Sequence, residues 1–222
     1  MEEQIMNMPA VALRGLTILP GMIAHFDISR ERSLRAVEEA MEQDQKIYLV
    51  TQRNVDSEDP TQEDLYQMGI VADIKQVVRL QNDVVRILVD GISRAALLGF
   101  TDNEKYLEAE ICYCDSNADS LPEDLREAML LGVREAFHRY AAVVGKISKE
   151  LIRQIDQYED LEKLIDYVTN NLPVSYELKQ QVLEAEDIND RYQVIVSLLL
   201  SQVEVISIKN ELQKKVKVRV DK

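Results

Sequence analysis

The 222-residue chain reads as an α+β protein with its strands first and its helices last. Three observations give that reading. Before residue 115 apolar residues alternate with period two in several short runs. A polar, turn-forming stretch follows, Asp115 to Pro122 (DSNADSLP). From Glu123 onward the apolar period becomes about 3.6. The expected division is a β subdomain over 1–115 and a helical subdomain over 116–222. Short strands, one helix and frequent turns suggest that the first closes, wholly or partly, into a small barrel.

Leu13 to Ser33 (LRGLTILPGMIAHFDISRERS) reads as a strand, a turn, a second strand and a helix start. Pro20-Gly21 is a turn dipeptide, because proline presets φ and glycine tolerates positive φ. Beyond it Met22, Ala24, Phe26 and Ile28 point one way and Ile23, His25 and Asp27 the other. Ser29 is placed to cap a helix whose apolar stripe is Leu34, Val37, Ala40 and Met41. Lys46 to Gln52 is the next strand. The acidic stretch around Pro60 reads as a solvated loop ending in a short helical piece, Asp64 to Met68. Ile70 to Leu80 and Val85 to Val89 form a hairpin around Gln81-Asn82-Asp83, and Leu97–Phe100 and Leu107–Tyr113 complete the strands.

In the second half Leu125, Met129, Val133, Ala136, Phe137, Tyr140 and Val144 share one helical face. Leu161 to Leu172 is a shorter helix stopped by Pro173. Ser175 caps the next, and Asp187 caps a last helix with Ile188, Tyr192, Ile195, Leu199 and Ile206 at heptad-like spacing. That helix is predicted more firmly at its beginning than beyond Ser207, where the chain turns basic and Val216 to Val220 alternates with period two.

Composition excludes several functions. With 26 basic and 40 acidic residues the net charge is −14, which argues against binding a phosphate backbone, so nucleic acid is not an expected partner. No apolar run approaches the roughly 20 residues needed to span a bilayer, and Met1-Glu2-Glu3-Gln4 lacks the basic region of a signal peptide, so a cytoplasmic protein without a membrane partner is expected. Cys112 and Cys114 fall on one strand face with Glu108 and Glu110, but His25 and His138 are distant in sequence and no further ligand motif is present, so no metal site is expected. His138 is read as a solvated surface residue. No nucleotide loop is present, since Gly145-Lys146-Ile147 has no hydroxyl residue after the lysine and Tyr140 stands where the first glycine belongs. No G-x-S-x-G elbow occurs either, and no catalytic residue or cofactor is assigned.

Three groups of residues carry a resemblance. Ala12-Leu13-Arg14, Leu19-Pro20-Gly21-Met22, Phe26 and Arg30-Glu31-Arg32-Ser33 form the first. Glu58-Asp59-Pro60 with Asp64-Leu65-Tyr66 and Gly69 forms the second, followed by Asp90-Gly91 and Arg94-Ala95. Asn171-Leu172-Pro173, Ser175, Glu177, Lys179-Gln180 and Leu183-Glu184 form the third. Together they resemble the N-terminal domain of Lon, the ATP-dependent protease of bacteria and organelles, across essentially the whole chain. One departure is His25, where the family pattern has a second proline.

The resemblance implies a PUA-like β pseudobarrel with one packed helix, followed by an α-helical bundle ending in a long C-terminal helix that leads toward an ATPase module. It implies a non-catalytic module that recognises unfolded or damaged proteins and assists assembly of a homohexamer. ATP, Mg and the serine peptidase would belong to modules beyond this sequence. Leu19, Pro20, Met22, Ile23, Leu97, Leu98 and Phe100 are the candidate substrate contacts, and Ile188, Tyr192, Ile195, Leu199 and Ile206 the candidate assembly face. The alternatives are a structural oligomerisation unit and a freestanding Lon-domain adaptor or ligand binder.

Overall fold

The structure, a computed structural model, describes residues 5–115 and 117–220, with side chains as far as Lys217 in the last helix. The elements are β1 (Ile5–Leu13), β2 (Ile23–Ile28), α1 (Glu31–Glu42), β3 (Lys46–Thr51), β4 (Met68–Arg79), β5 (Val85–Phe100), β6 (Glu108–Tyr113), α2 (Glu123–Val144), α3 (Lys149–Gln157), α4 (Leu161–Asn171), α5 (Tyr176–Glu184) and α6 (Ile188–Val220). They group into two units. The first holds the residues up to Asp115 together with Pro173–Glu186; the second holds the intervening residues to Leu172 and those from Asp187 onward. The boundary expected near residue 115 coincides with the first crossing. Segment 173–186, expected with the helices, packs instead with the strands.

In the first unit β1, β3, β4, β5 and β6 pair in a closed circuit, with β1–β3 parallel and the other pairs antiparallel. β2 pairs with β5 alone. The strands bury both faces. Val11, Leu13, Ile47, Leu49, Ile70 and Ala72 enter one core, which Ala36, Val37 and Ala40 of α1 complete. Met8, Ala10, Ala12, Tyr48, Val50 and Val71 enter the other. Tyr48 is fully buried and donates its hydroxyl to the Ala95 carbonyl at 3.0 Å; burial pushes its pKa far above the usual range, so it remains a donor.

β5 serves both cores because its register breaks. Val71 aligns with Ser93 and Ala72 with Gly91, which leaves Ile92 as the extra, exposed residue of a bulge. Before the bulge odd-numbered residues, Ile87 and Val89, face the first core; after it Ala95 and Leu97 face the second. The Leu97–Phe100 strand is thus the end of a single 16-residue strand. A Cβ on Gly91 would collide with the Leu19 carbonyl and Ile70, so the chain passes closest here.

Several local expectations shift. The first strand lies earlier, at Ile5–Leu13, and Gly15 at φ 64° ends it. α1 starts after Arg30, whose side chain makes no cap bond; Ser29 does not cap, and Met41 is exposed. The turn at Pro20-Gly21 is present, with Gly21 at φ 74° and the Met22 amide donating to the Leu19 carbonyl. Asn82 and Asp83 both have positive φ, as a type I′ hairpin requires. Val78 and Leu80, which period-two alternation puts on one side with Ile70, Ala72 and Ile74, are exposed, and a second irregularity lies between Ile74 and Gln76.

α5 is held by buried polar bonds. Gln180, 1% exposed, donates to the Met68 carbonyl at 2.9 Å, and Thr17 donates to Gln180 Oε1 at 3.0 Å. Glu184 accepts from the Met68 amide at 3.2 Å and from Gln180 at 2.9 Å.

In the second unit α6 packs on α2 and α4. Tyr192 lies against Gly132, and buried Arg191 pairs with Glu162 at 2.9 Å. Asp187 caps α6 through the Asp190 amide, as expected. α3, which the sequence reading omits, is capped by Ser148, and Asp160 caps α4. α6 is helical through Val220, 33 residues or about 50 Å; the helical state extends past Ser207, while Asp221 and Lys222 lie outside the described residues. By length and composition Ile188–Lys217 is long and apolar enough to cross a bilayer, which corrects the expectation that no apolar run approaches that length.

Two stability predictions follow from this packing. Gly91→Ala should lower the stability of the first unit by about 1–3 kcal/mol, whereas Gly132→Ala should have a smaller effect because the Tyr192 phenol can move aside; thermal unfolding of both variants measures the difference. Gln180→Leu should leave the Met68 carbonyl without its buried donor, destabilising by about 1–3 kcal/mol, with faster limited proteolysis around 173–186 as the readout.

Candidate functional site

Among the described strands β2 alone has a single partner, so its other edge carries amides and carbonyls outside the ladder. Between β2 and the second half of β1 lies a cleft of about 470 Å³. Val11, Leu13 and Leu16 form one wall and Phe26 and Ile28 another, so the lining is partly apolar. Ser29, Ser33 and the uncapped start of α1 close one end, where the helix dipole presents its positive pole.

Two arginines stand in this cleft. Arg14 donates to the Ser57 carbonyl at 3.0 Å, and Arg30 donates to the same carbonyl at 3.3 Å and to Gln52 Oε1 at 2.8 Å. Neither lies within ion-pair distance of a carboxylate among the described residues, although Glu58 is on the rim. Burial first, and the neighbouring Arg14 charge second, draw the Arg30 pKa down; a guanidinium stays charged regardless. Buried Gln52 also donates to the Ser57 carbonyl, fixing the loop that brings the arginines together.

The outer face of β2 is different. Ile23 is 68% exposed, the largest exposure of any sizeable apolar side chain in the first unit. His25 sits beside Leu88, and Asp27 makes a bidentate pair with Arg86 at 2.7 and 2.9 Å, which holds the Asp27 carboxyl below the usual range. Val78 and Gln76 continue this face on β4 around a shallow pocket.

The seven candidate contacts are not brought together. Leu19 and Leu97 are core residues, 0% and 3% exposed, so neither is available to a partner. Met22 and Phe100 are half-buried against the two cores, and Pro20 is half-buried in the turn. Ile23 and Leu98 are exposed but lie apart: Ile23 aligns with Asp90, and Leu98 is near the far end of β5, where its carbonyl accepts from Gln62. Of the candidate assembly residues, Ile188, Ile195 and Leu199 are buried within their own unit, Tyr192 covers Gly132, and Ile206 is half-buried. The row left open on α6 is Val205, Ile208, Leu212 and Val216, each 56–61% exposed.

Other singled-out residues have plain surroundings. Cys112 and Cys114 are half-buried and not joined in a disulfide, and the Cys114 sulfur approaches Met68 Sδ at 3.8 Å. No group of three metal-ligating side chains occurs among the described residues. Exposed His138 pairs with Asp156 at 2.8 Å. In the acidic loop Asp64 accepts from the Thr61 amide, and that bond keeps its carboxyl low. The sequence reading passes over Arg14 and Arg30 as functional residues. Both stand inside the first motif group, but their convergence depends on Ser57, which nothing in the local pattern reveals.

Comparison with known proteins fits this architecture. The family described as the ATP-dependent protease La (LON) substrate-binding domain matches residues 7–201. The chain is 37% identical over its whole length to a Lon protease of Lachnoclostridium phytofermentans, 34% over 97% of its length to one of Clostridioides difficile, and 30% over 97% to Lon protease 1 of Bacillus subtilis. It spans 27%, 28% and 28% of those proteins. Among solved structures, the N-terminal domain of a Mycobacterium avium complex Lon protease matches with a TM-score of 0.71 at 18% identity, over 87% of this chain and 98% of that one. A Lon N-terminal domain protein from Xanthomonas campestris matches at 0.59 and 13%, over 86% and 98%. The strand-then-helix order, the long last helix and the match over 7–201 place the chain in the Lon substrate-binding domain family.

Proposed function

We propose that the chain is the substrate-engaging module of a Lon-type ATP-dependent serine protease, taking hold of unfolded or damaged polypeptides in cytoplasmic protein quality control. The observation that carries this reading is the open edge of β2, with exposed Ile23 on one face and a partly apolar cleft behind it. An unfolded chain offers what such an edge accepts, namely free backbone amides and carbonyls in extended form, whatever its side chains. A folded protein has already paired those groups. The module itself does no covalent chemistry in this reading; ATP, Mg and the peptidase act elsewhere in the protease.

The test is an NMR titration with one model protein in its folded and its permanently unfolded form. Only the unfolded form should shift β2 resonances, and Ile23→Asp should weaken its binding about tenfold, on the order of 1.4 kcal/mol. Equal shifts from both forms, or none at β2, would remove this reading.

A second task, assembly of a homohexamer, is supported by the open row on α6. Val205, Ile208, Leu212 and Val216 recur every three or four residues along one helical face, with Lys209 and Lys217 beside them. Leu212→Asp should abolish any concentration-dependent self-association in sedimentation while leaving the melting temperature unchanged, since the residue is 57% exposed. Self-association that survives the change would move assembly to another surface.

A further inference from the structure

The charges in the β1–β2 cleft are arranged against the trend of the molecule. The chain carries a net charge of −14, and most arginines of the first unit have a carboxylate or an aromatic ring: Arg32 has Asp59, Arg35 has Glu31, Arg79 has Glu38, Arg86 has Asp27 and Arg53 lies over Tyr66. Arg14 and Arg30 instead share one carbonyl oxygen, that of Ser57, with Gln52 Oε1 as a second neutral acceptor for Arg30, and neither has a carboxylate in ion-pair range among the described residues. A carbonyl is a weak acceptor for two guanidiniums of like charge, each with donors to spare. The positive end of α1 adds to them. Glu58, exposed on the rim, and Asp59 are the acidic groups whose charge reaches Arg30.

We propose that the cleft seats an acidic side chain, Asp or Glu, of an extended polypeptide segment lying along the open edge of β2, its carboxylate held between Arg14 and Arg30. This rests on the substrate reading above and narrows it. The backbone of the segment extends the sheet, its apolar residues rest on Leu16 and Phe26, and the arginines select for one negative charge among them. The apolar walls and the acidity of the whole molecule favour a peptide over a phosphate polymer.

The test uses the 222-residue chain and two short peptides of alternating Val and Thr, acetylated and amidated, identical except for a central Glu or Gln. A third peptide has the Gln centre with a free terminal carboxylate. NMR titration should place all shifts on β2, with the Glu peptide binding about fivefold more tightly than the Gln peptide at low salt. Arg14→Gln should remove that preference without removing binding, and Glu58→Gln should increase it. Equal binding of the Glu and Gln peptides, with shifts at β2, would overturn the acidic seat and leave the substrate reading standing. Tighter binding of the third peptide than of the Glu peptide would overturn it in favour of a chain terminus. Absence of β2 shifts with every peptide and with an unfolded protein would overturn both.

Discussion

The bulge at Ile92 is the constraint on which the first unit depends. A strand of 16 residues cannot keep one face to one core over its full length while the sheet closes on itself. One extra residue reverses its parity, so the first part of β5 supports the core shared with α1 and the last part supports the other. The same turn sends the end of β5 to β6, closing the circuit, and leaves its beginning to β2. β2 is therefore an edge by construction. Gly91 is required beside the bulge because the Leu19 carbonyl and Ile70 leave no room for a side chain.

Open edges invite aggregation, and this one is managed in recognisable ways. β2 is only six residues long and carries His25 and the Asp27–Arg86 pair on its outer face. That ion pair is exposed and adds little stability; it keeps charge on the outer face of the edge. The α5 segment contributes at a distance: Gln180 and Glu184 satisfy the Met68 backbone at the start of β4, so the strand that precedes the bulge is anchored by residues more than a hundred positions later.

Much of this was legible in the sequence. Period-two runs located β2 and the β4–β5 hairpin, strand composition located β3, apolar stripes and cap residues located the helices other than α3, and the motif groups gave the family across the whole chain. What was hidden has a physical cause in each case. Bulges break parity without changing composition, so the single strand β5 reads as two. Leu19 reads as a surface candidate because an apolar residue beside a turn looks alike whether it is core or contact, and Leu97 because its strand could lie near that turn; only the close approach to Gly91 and the second core decide it. The heptad-like row of α6 was real, but its first part is the face that packs on its own unit, and the open row lies one step around the helix and further along. The arginine pair was visible as letters and invisible as a site, because 16 positions separate Arg14 from Arg30 and a third segment joins them.

The central claim is that β2 receives polypeptide by extending the sheet. Amide hydrogen exchange across residues 23–28, with and without a permanently unfolded protein, tests it most directly. The account predicts slower exchange at alternate β2 amides, those pointing away from β5, when the unfolded chain is present. Binding that leaves those amides exchanging at their original rate, with protection elsewhere, would contradict it.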